Sequence, residues 1–188
     1  HHAIFLEDLT KAESQKMLQS LLKTPSIPRG LEMLIREKIE GNPFYLEEIL
    51  NSLIESELLI KSNGNWKLLR PIYKADIPLT IHGVISARTD RLDEGAKQVL
   101  QYASVIGRSF DLSILGNLTQ GEKDLNGHLD NLVRLGLIQA NTSLPDGNYD
   151  FRHALTQEVV YNSILKKERQ EIHERTGRII EKLFPQHL

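Results

Sequence analysis

The chain has 188 residues, 40% of them hydrophobic, which is enough for one large or two small folded domains. Its 23 basic and 25 acidic residues give a formal net charge of −2, so no overall positive field would attract nucleic acid or anionic lipid. The absence of cysteine excludes disulfides, thiolate metal sites and cysteine nucleophiles, and it favours a cytoplasmic location.

The first predicted elements are a short strand and two helices. An apolar run at residues 4–6 starts abruptly, so we interpret residues 1–6 as the remnant of an upstream strand or of a purification tag. Thr10 and Glu13 have the spacing of a capping box, which predicts a helix behind them. A second helix is expected from about Arg29, where leucine and isoleucine recur at helical spacing.

A third helix is predicted to begin at Asn42-Pro43, directly after a glycine. Gly41 suits the end of the second helix, and a proline is tolerated in a first helical turn. Turn residues further on predict a β-hairpin near residues 58–69, and Thr80 can cap a fourth helix.

The second half of the chain has the element order of a winged helix. Three helices are expected at about 93–107, 112–118 and 122–136, and a hairpin follows them at 137–152. Two further helices are expected at about 154–165 and 167–184.

These elements predict a mainly α chain in which a helical subdomain is followed by a winged-helix subdomain with short β-hairpins. We expect the helical subdomain at 7–92, the winged helix at 93–165, and at 166–188 a C-terminal helix that leads to a following domain. No apolar run approaches the roughly 20 residues of a spanning helix, so we expect no membrane segment.

The junction Gly41-Asn42-Pro43-Phe44 and five other stretches together resemble the STAND class of signalling ATPases. The likeness is strongest to the module fused to bacterial adenylate/guanylate cyclases and present in soluble adenylyl cyclase, which is related to NB-ARC proteins. The stretches run in order along nearly the whole chain, at 4–9, 41–49, 77–81, 87–92, 103–110 and 151–161. The resemblance implies a lid and a winged helix that close over a preceding P-loop domain carrying ATP or ADP with Mg²⁺.

The resemblance also implies which residues face the nucleotide. In NB-ARC relatives a proline at this junction lies against adenine, which implies that role for Pro43, with Asn42 beside it; read alone, the junction is a helix stop and a helix start. A histidine at the end of the winged-helix hairpin reaches the β-phosphate of ADP there, and His153 matches it. Arg152 and Ala154 replace the Met and Asp of the relatives, and Arg152 is either a further phosphate contact or a solvated side chain.

A second charged cluster, Arg88, Asp90 and Arg91, also belongs to the pattern of the family. Spacings of two and three residues favour a salt bridge at the hinge between the subdomains. An arginine that senses the γ-phosphate is the alternative.

The motifs of an ATPase catalytic centre are missing from the sequence. A phosphate-binding loop needs Gly-x-x-x-x-Gly-Lys and then Ser or Thr, but Gly116 and Gly121 are followed by Glu122, a carboxylate where a phosphate would bind. The pair His173-Glu174 lacks the second histidine of a zinc helix. We therefore expect no catalytic residue, no metal site and no cofactor of its own, and the partners are an upstream P-loop domain and effector domains of the same chain.

Two other functions fit parts of this description. One is a DNA-binding winged helix of a transcription regulator, against which residues 93–165 carry nine acidic and five basic residues. The other is a self-standing enzyme, such as a hydrolase, with a site built from scattered histidines and carboxylates. Neither has a motif of its own.

Overall fold

The computed structural model describes five stretches of the chain, residues 7–38, 41–73, 76–119, 124–141 and 148–185. The expected strand at 4–6 and the tip of the second predicted hairpin lie outside them. The chain divides into two compact units, His1–Arg88 and Thr89–Leu188. This division falls a few residues before the boundary expected between residues 92 and 93.

The described part of the first unit is helical apart from one hairpin. Its elements are α1 Lys11–Leu22, α2 Arg29–Lys38, α3 Pro43–Glu55, β1 Leu59–Ser62, β2 Asn65–Leu68 and α4 Ile81–Thr89, the last of which runs one residue into the second unit. The predicted starts of the first three helices and the first hairpin are confirmed.

Capping and turn residues explain where these elements begin. The side chain of Thr10 accepts the N–H of Glu13 at 3.3 Å, and the Glu13 carboxylate accepts the N–H of Thr10 at 2.9 Å, which is a capping box. Asn63 and Gly64 have φ angles of 51° and 80°, and two positive values in a two-residue loop make the hairpin turn that matches strand twist.

The core of the first unit lies between its helices and the hairpin. Its buried apolar side chains are mostly aliphatic, and they include Leu18, Leu31, Leu46, Ile49, Leu59 and Val84. Trp66 on β2 donates its ring N–H to the backbone carbonyl of Leu22 at 2.8 Å, and this bond fastens the hairpin to the end of α1.

The second unit has the winged-helix order that the sequence predicts. Its described elements are α5 Glu94–Ile106, β3 Ser109–Asp111, α6 Leu112–Leu118, α7 Leu125–Arg134, β4 Ile138–Ala140, β5 Asn148–Phe151, α8 Ala154–Ser163 and α9 Lys166–Leu183. The strand β3 was not predicted; it pairs with β5 to make an antiparallel sheet of order β3-β5-β4.

Two apolar clusters hold the second unit together. The first packs the sheet against α5 and α7 and contains Phe110 and Phe151, whose ring centroids are 5.8 Å apart in an edge-on arrangement. The second lies beneath α9 and includes Leu118, Ile164 and Ile172. Along the described stretches, no helix has the length and apolarity to cross a membrane.

Candidate functional site

The turn into α3 presents two of the predicted nucleotide-facing residues on the surface. Asn42 is the N-cap, and its side-chain oxygen accepts the N–H of Tyr45 at 3.1 Å. Pro43 is the first helical residue, where its missing N–H costs nothing. Both side chains are exposed, whereas Gly41 before them is buried.

Tyr45, in the first turn of α3, anchors that turn to a neighbouring loop. Its hydroxyl donates to the backbone carbonyl of Pro78 at 2.8 Å, and burial raises the pKa of this hydroxyl above its usual value. The exposed pair Asn42 and Pro43 therefore stands on a fixed helix end.

Arg88 lies inside the first unit, between α4 and α3. Its Nη1 donates to Oε2 of Glu48 at 2.5 Å, and its Nη2 donates to Oε1 of Glu55 at 2.5 Å. Glu48 and Glu55 are seven residues apart on α3 and so share one face of that helix. The Arg88 side chain is 1% exposed, so a phosphate could meet it only after both carboxylates had released it.

Burial dominates the electrostatics of this ion-pair cluster. Removal from water raises the pKa of Glu48, and the neighbouring Arg88 guanidinium offsets only part of that rise. The sequence offered no signal for the two carboxylate partners, because each stands more than 30 residues from the arginine.

The other two members of the predicted charged cluster are exposed, whereas Arg88 is buried. Asp90 accepts a hydrogen bond from the Lys97 ammonium at 2.6 Å, within the second unit. Arg91 is exposed. The described ion pairs of Arg88 join α4 to α3 within the first unit. The salt bridge expected at the hinge stays a prediction.

Arg152 and His153 connect β5 to α8. The guanidinium of Arg152 passes over Gly136, where an added Cβ would lie 3.1 Å from Nη1, and the Arg152 side chain is exposed. His153 occupies the N-cap position of α8, and its carbonyl accepts the N–H of Thr156 at 3.1 Å. The imidazole Nε2 is buried, so in this conformation it is not presented at the surface.

The residues that the structure describes show no metal-binding group of side chains. Within those ranges, no three His, Cys, Asp or Glu side chains are grouped to hold a metal ion. The residues predicted to face a nucleotide lie at the start of α3 and at the β5–α8 connection.

The chain is similar in sequence to part of a much longer bacterial protein. A stretch of 145 residues, 74% of the chain, is 32% identical to part of an uncharacterized protein of Rhizobium meliloti (strain 1021). The chain spans only 13% of the length of that curated relative. No model of a known protein family matches the chain.

Proposed function

We propose that this chain is the regulatory lid and winged-helix part of a STAND-class nucleotide-switch ATPase, in a multidomain cytoplasmic signalling protein of the cyclase-linked kind. The observation that carries the proposal is the turn Gly41-Asn42-Pro43, which exposes a proline at the capped start of a 13-residue helix. The long Rhizobium relative, most of which lies outside the matched stretch, supports a multidomain setting.

Pro43 would supply the contact with adenine. A proline ring is apolar and rigid, so it covers the face of a base without losing side-chain freedom on binding. Asn42 fixes the ring in place, because its side chain caps the same helix end. In this proposal the phosphates and Mg²⁺ are held by the preceding P-loop domain.

His153 would hold the β-phosphate of ADP, with Arg152 as a second contact. A histidine can donate to a phosphate oxygen and titrates near neutral pH, which suits a reversible switch. The buried Nε2 means that the β5–α8 connection must open, or the ring must turn, before phosphate is reached. Arg152 itself is an exposed residue beside His153.

Charge favours a switch domain over a DNA-binding winged helix. The exposed residues of α7 and its N-cap include the carboxylates of Asp124 and Asp130, with Arg134 as the basic one. Arg134 also donates to the side chain of Asn131 at 2.8 Å. A helix of this charge would repel the phosphates of a major groove, so we expect no specific duplex binding.

The experiment is dissociation of a fluorescent ADP from the full-length polypeptide that contains this chain. Pro43→Ala should speed dissociation by about 3- to 10-fold, because roughly 1 kcal/mol of apolar contact is lost. Pro71→Ala is the control, since it removes another exposed proline outside the proposed site. Equal dissociation rates in the two variants, or a polypeptide without a P-loop domain, would overturn the proposal.

A further inference from the structure

The segment that leads into α1 is bonded to the turn that leads into α3. The backbone N–H of Leu9 donates to the carbonyl of Gly41 at 2.8 Å. Leu9 directly precedes Thr10, the N-cap of α1, and Gly41 directly precedes Asn42, the N-cap of α3. One hydrogen bond therefore joins the starts of two helices that are far apart in sequence.

Gly41 makes this approach possible in two ways. Its φ of +83° lies in the left-handed region, which residues with a side chain rarely adopt. A Cβ on residue 41 would also lie 2.5 Å from the carbonyl oxygen of Leu9, 2.9 Å from its nitrogen and 2.8 Å from the Cβ of Asp8. Two of these three atoms are backbone, so they cannot swing aside as a flexible side chain would.

Gly64 in the first hairpin shares the positive φ angle of Gly41 but not its close contacts, so it serves as the comparison. Its φ of +80° is nearly the same, yet no atom of the described chain lies within 4 Å of the Cβ position. Alanine at position 64 should therefore be unfavourable only because of the left-handed backbone conformation. Alanine at position 41 has the same backbone cost and must in addition displace residues 8–9.

We infer that Asp8, Leu9 and Gly41 form a clasp through which the chain entering the first unit controls the Asn42-Pro43 turn. When residues 8–9 are seated against Gly41, the turn is held in the geometry that caps α3 and exposes Pro43. When they are pulled away, the Gly41 carbonyl loses its donor and the turn is released. The regulatory meaning of the clasp rests on the proposed function, since it makes the Pro43 surface depend on the preceding segment.

Amide hydrogen exchange of the 188-residue chain tests the clasp without nucleotide. In Gly41→Ala the amide of Leu9 should exchange about 10-fold faster than in Gly64→Ala, which corresponds to the loss of one net hydrogen bond. The amide of Tyr45, which Asn42 caps, should exchange faster in the same variant. Leu9 amides that exchange within about twofold of each other in the two variants would overturn the inference.

A second variant covers the case in which Gly41→Ala fails to fold. Leu9→Pro removes the donor and leaves Gly41 unchanged. It should raise the exchange rate of the Tyr45 amide while the helical circular dichroism is retained. Unchanged exchange at Tyr45 in a folded Leu9→Pro variant would also overturn the clasp.

Nucleotide measurements on the full-length polypeptide separate this inference from the proposed function. If the clasp and the proposed function are both correct, Gly41→Ala speeds ADP dissociation although Gly41 itself is buried. If Pro43→Ala leaves ADP dissociation unchanged while Gly41→Ala still releases the Leu9 amide, the proposed function fails and the clasp stands. If the Leu9 amide is unaffected, the clasp fails whatever the nucleotide does.

Discussion

The guanidinium of Arg88 and the carboxylate of Glu48 meet at 2.5 Å with side chains that are only 1% and 3% exposed. Charges this deeply buried are tolerated when they are paired, but removing one partner leaves the other without compensation. Arg88→Met should therefore lower the free energy of unfolding of the first unit by about 3–5 kcal/mol. Urea denaturation followed by the fluorescence of Trp66, the chain's single tryptophan, measures this unit.

The pH dependence of that variant gives a second readout. Loss of Arg88 removes the charge that holds down the already raised pKa of Glu48, so the pKa should rise further. A carboxyl whose pKa is higher in the folded than in the unfolded state lowers the free energy of unfolding when the pH is above that raised pKa. This loss of stability decreases as the pH falls through the raised pKa. The loss of stability in Arg88→Met should thus become smaller as the pH is lowered. Arg29→Met, at an exposed site, is the control, and its free energy of unfolding should stay within about 0.5 kcal/mol of wild type at every pH. A pH-independent loss would contradict the assignment to Glu48.

Asp76 should make the stability of the first unit depend on acid. Hydrogen bonds from the Arg70 guanidinium and from the backbone N–H of Tyr73 lower its pKa from 3.8 to about 2. A depressed pKa contributes stability that is complete above about pH 4 and is lost as pH falls through 2. The difference in urea midpoint between wild type and Asp76→Asn should therefore be constant at pH 5–7 and decrease between pH 4 and pH 2. A difference that persists at pH 2 would show that the carboxylate charge is not its source.

Gly95 and Gly177 should respond to alanine in opposite directions. Alanine is favoured over glycine inside a helix by about 1 kcal/mol. No described atom lies within 4 Å of a Cβ on Gly177, so Gly177→Ala should stabilise the second unit. A Cβ on Gly95 would clash with the His128 imidazole, 2.6 Å from Cε1, so Gly95→Ala should be destabilising.

A double-mutant cycle identifies the cause. In the His128→Ala background the obstruction is gone, and Gly95→Ala should become neutral or stabilising, with thermal unfolding by circular dichroism as the measurement. If Gly95→Ala is equally destabilising in both backgrounds, the imidazole is not what excludes a side chain at residue 95.

His153→Ala should weaken ADP retention by the full-length polypeptide. Loss of a hydrogen bond to a charged phosphate is worth about 1.5–3 kcal/mol, so ADP should dissociate at least about 10-fold faster and the switch should favour the active state. His173→Ala is the matched control, because it removes an exposed histidine of the same unit that bonds to the Tyr161 hydroxyl at 3.0 Å. Unchanged ADP dissociation in His153→Ala would remove this residue from the mechanism.

Local signals account for what the sequence predicted well. The Thr10 capping box, the Asn42-Pro43 helix start and the glycine turn of the first hairpin each depend on neighbours within a few residues, and all three are present. Strand β3 escaped prediction because three residues are too few to show alternation, and its partner β5 stands about 40 residues later.

The features of the candidate site that the sequence did not predict depend on contacts between residues far apart in the chain. The spacing of Arg88, Asp90 and Arg91 gave no sign that Arg88 pairs with Glu48 on α3 or that Asp90 pairs with Lys97. The buried Nε2 of His153 and the bond from Leu9 to Gly41 likewise arise from folding, not from a motif. The nucleotide-facing roles of Pro43 and His153 remain predictions.

The place of Arg88 at the very end of the first unit limits how the chain can be cut. A truncation ending before residue 88 would remove the guanidinium that pairs with Glu48 and Glu55, and the Glu48 carboxylate, only 3% exposed, would lose this buried ion pair. A recombinant fragment meant to contain only the first unit must therefore include all of α4 through Thr89, although this helix lies at the boundary between the two units.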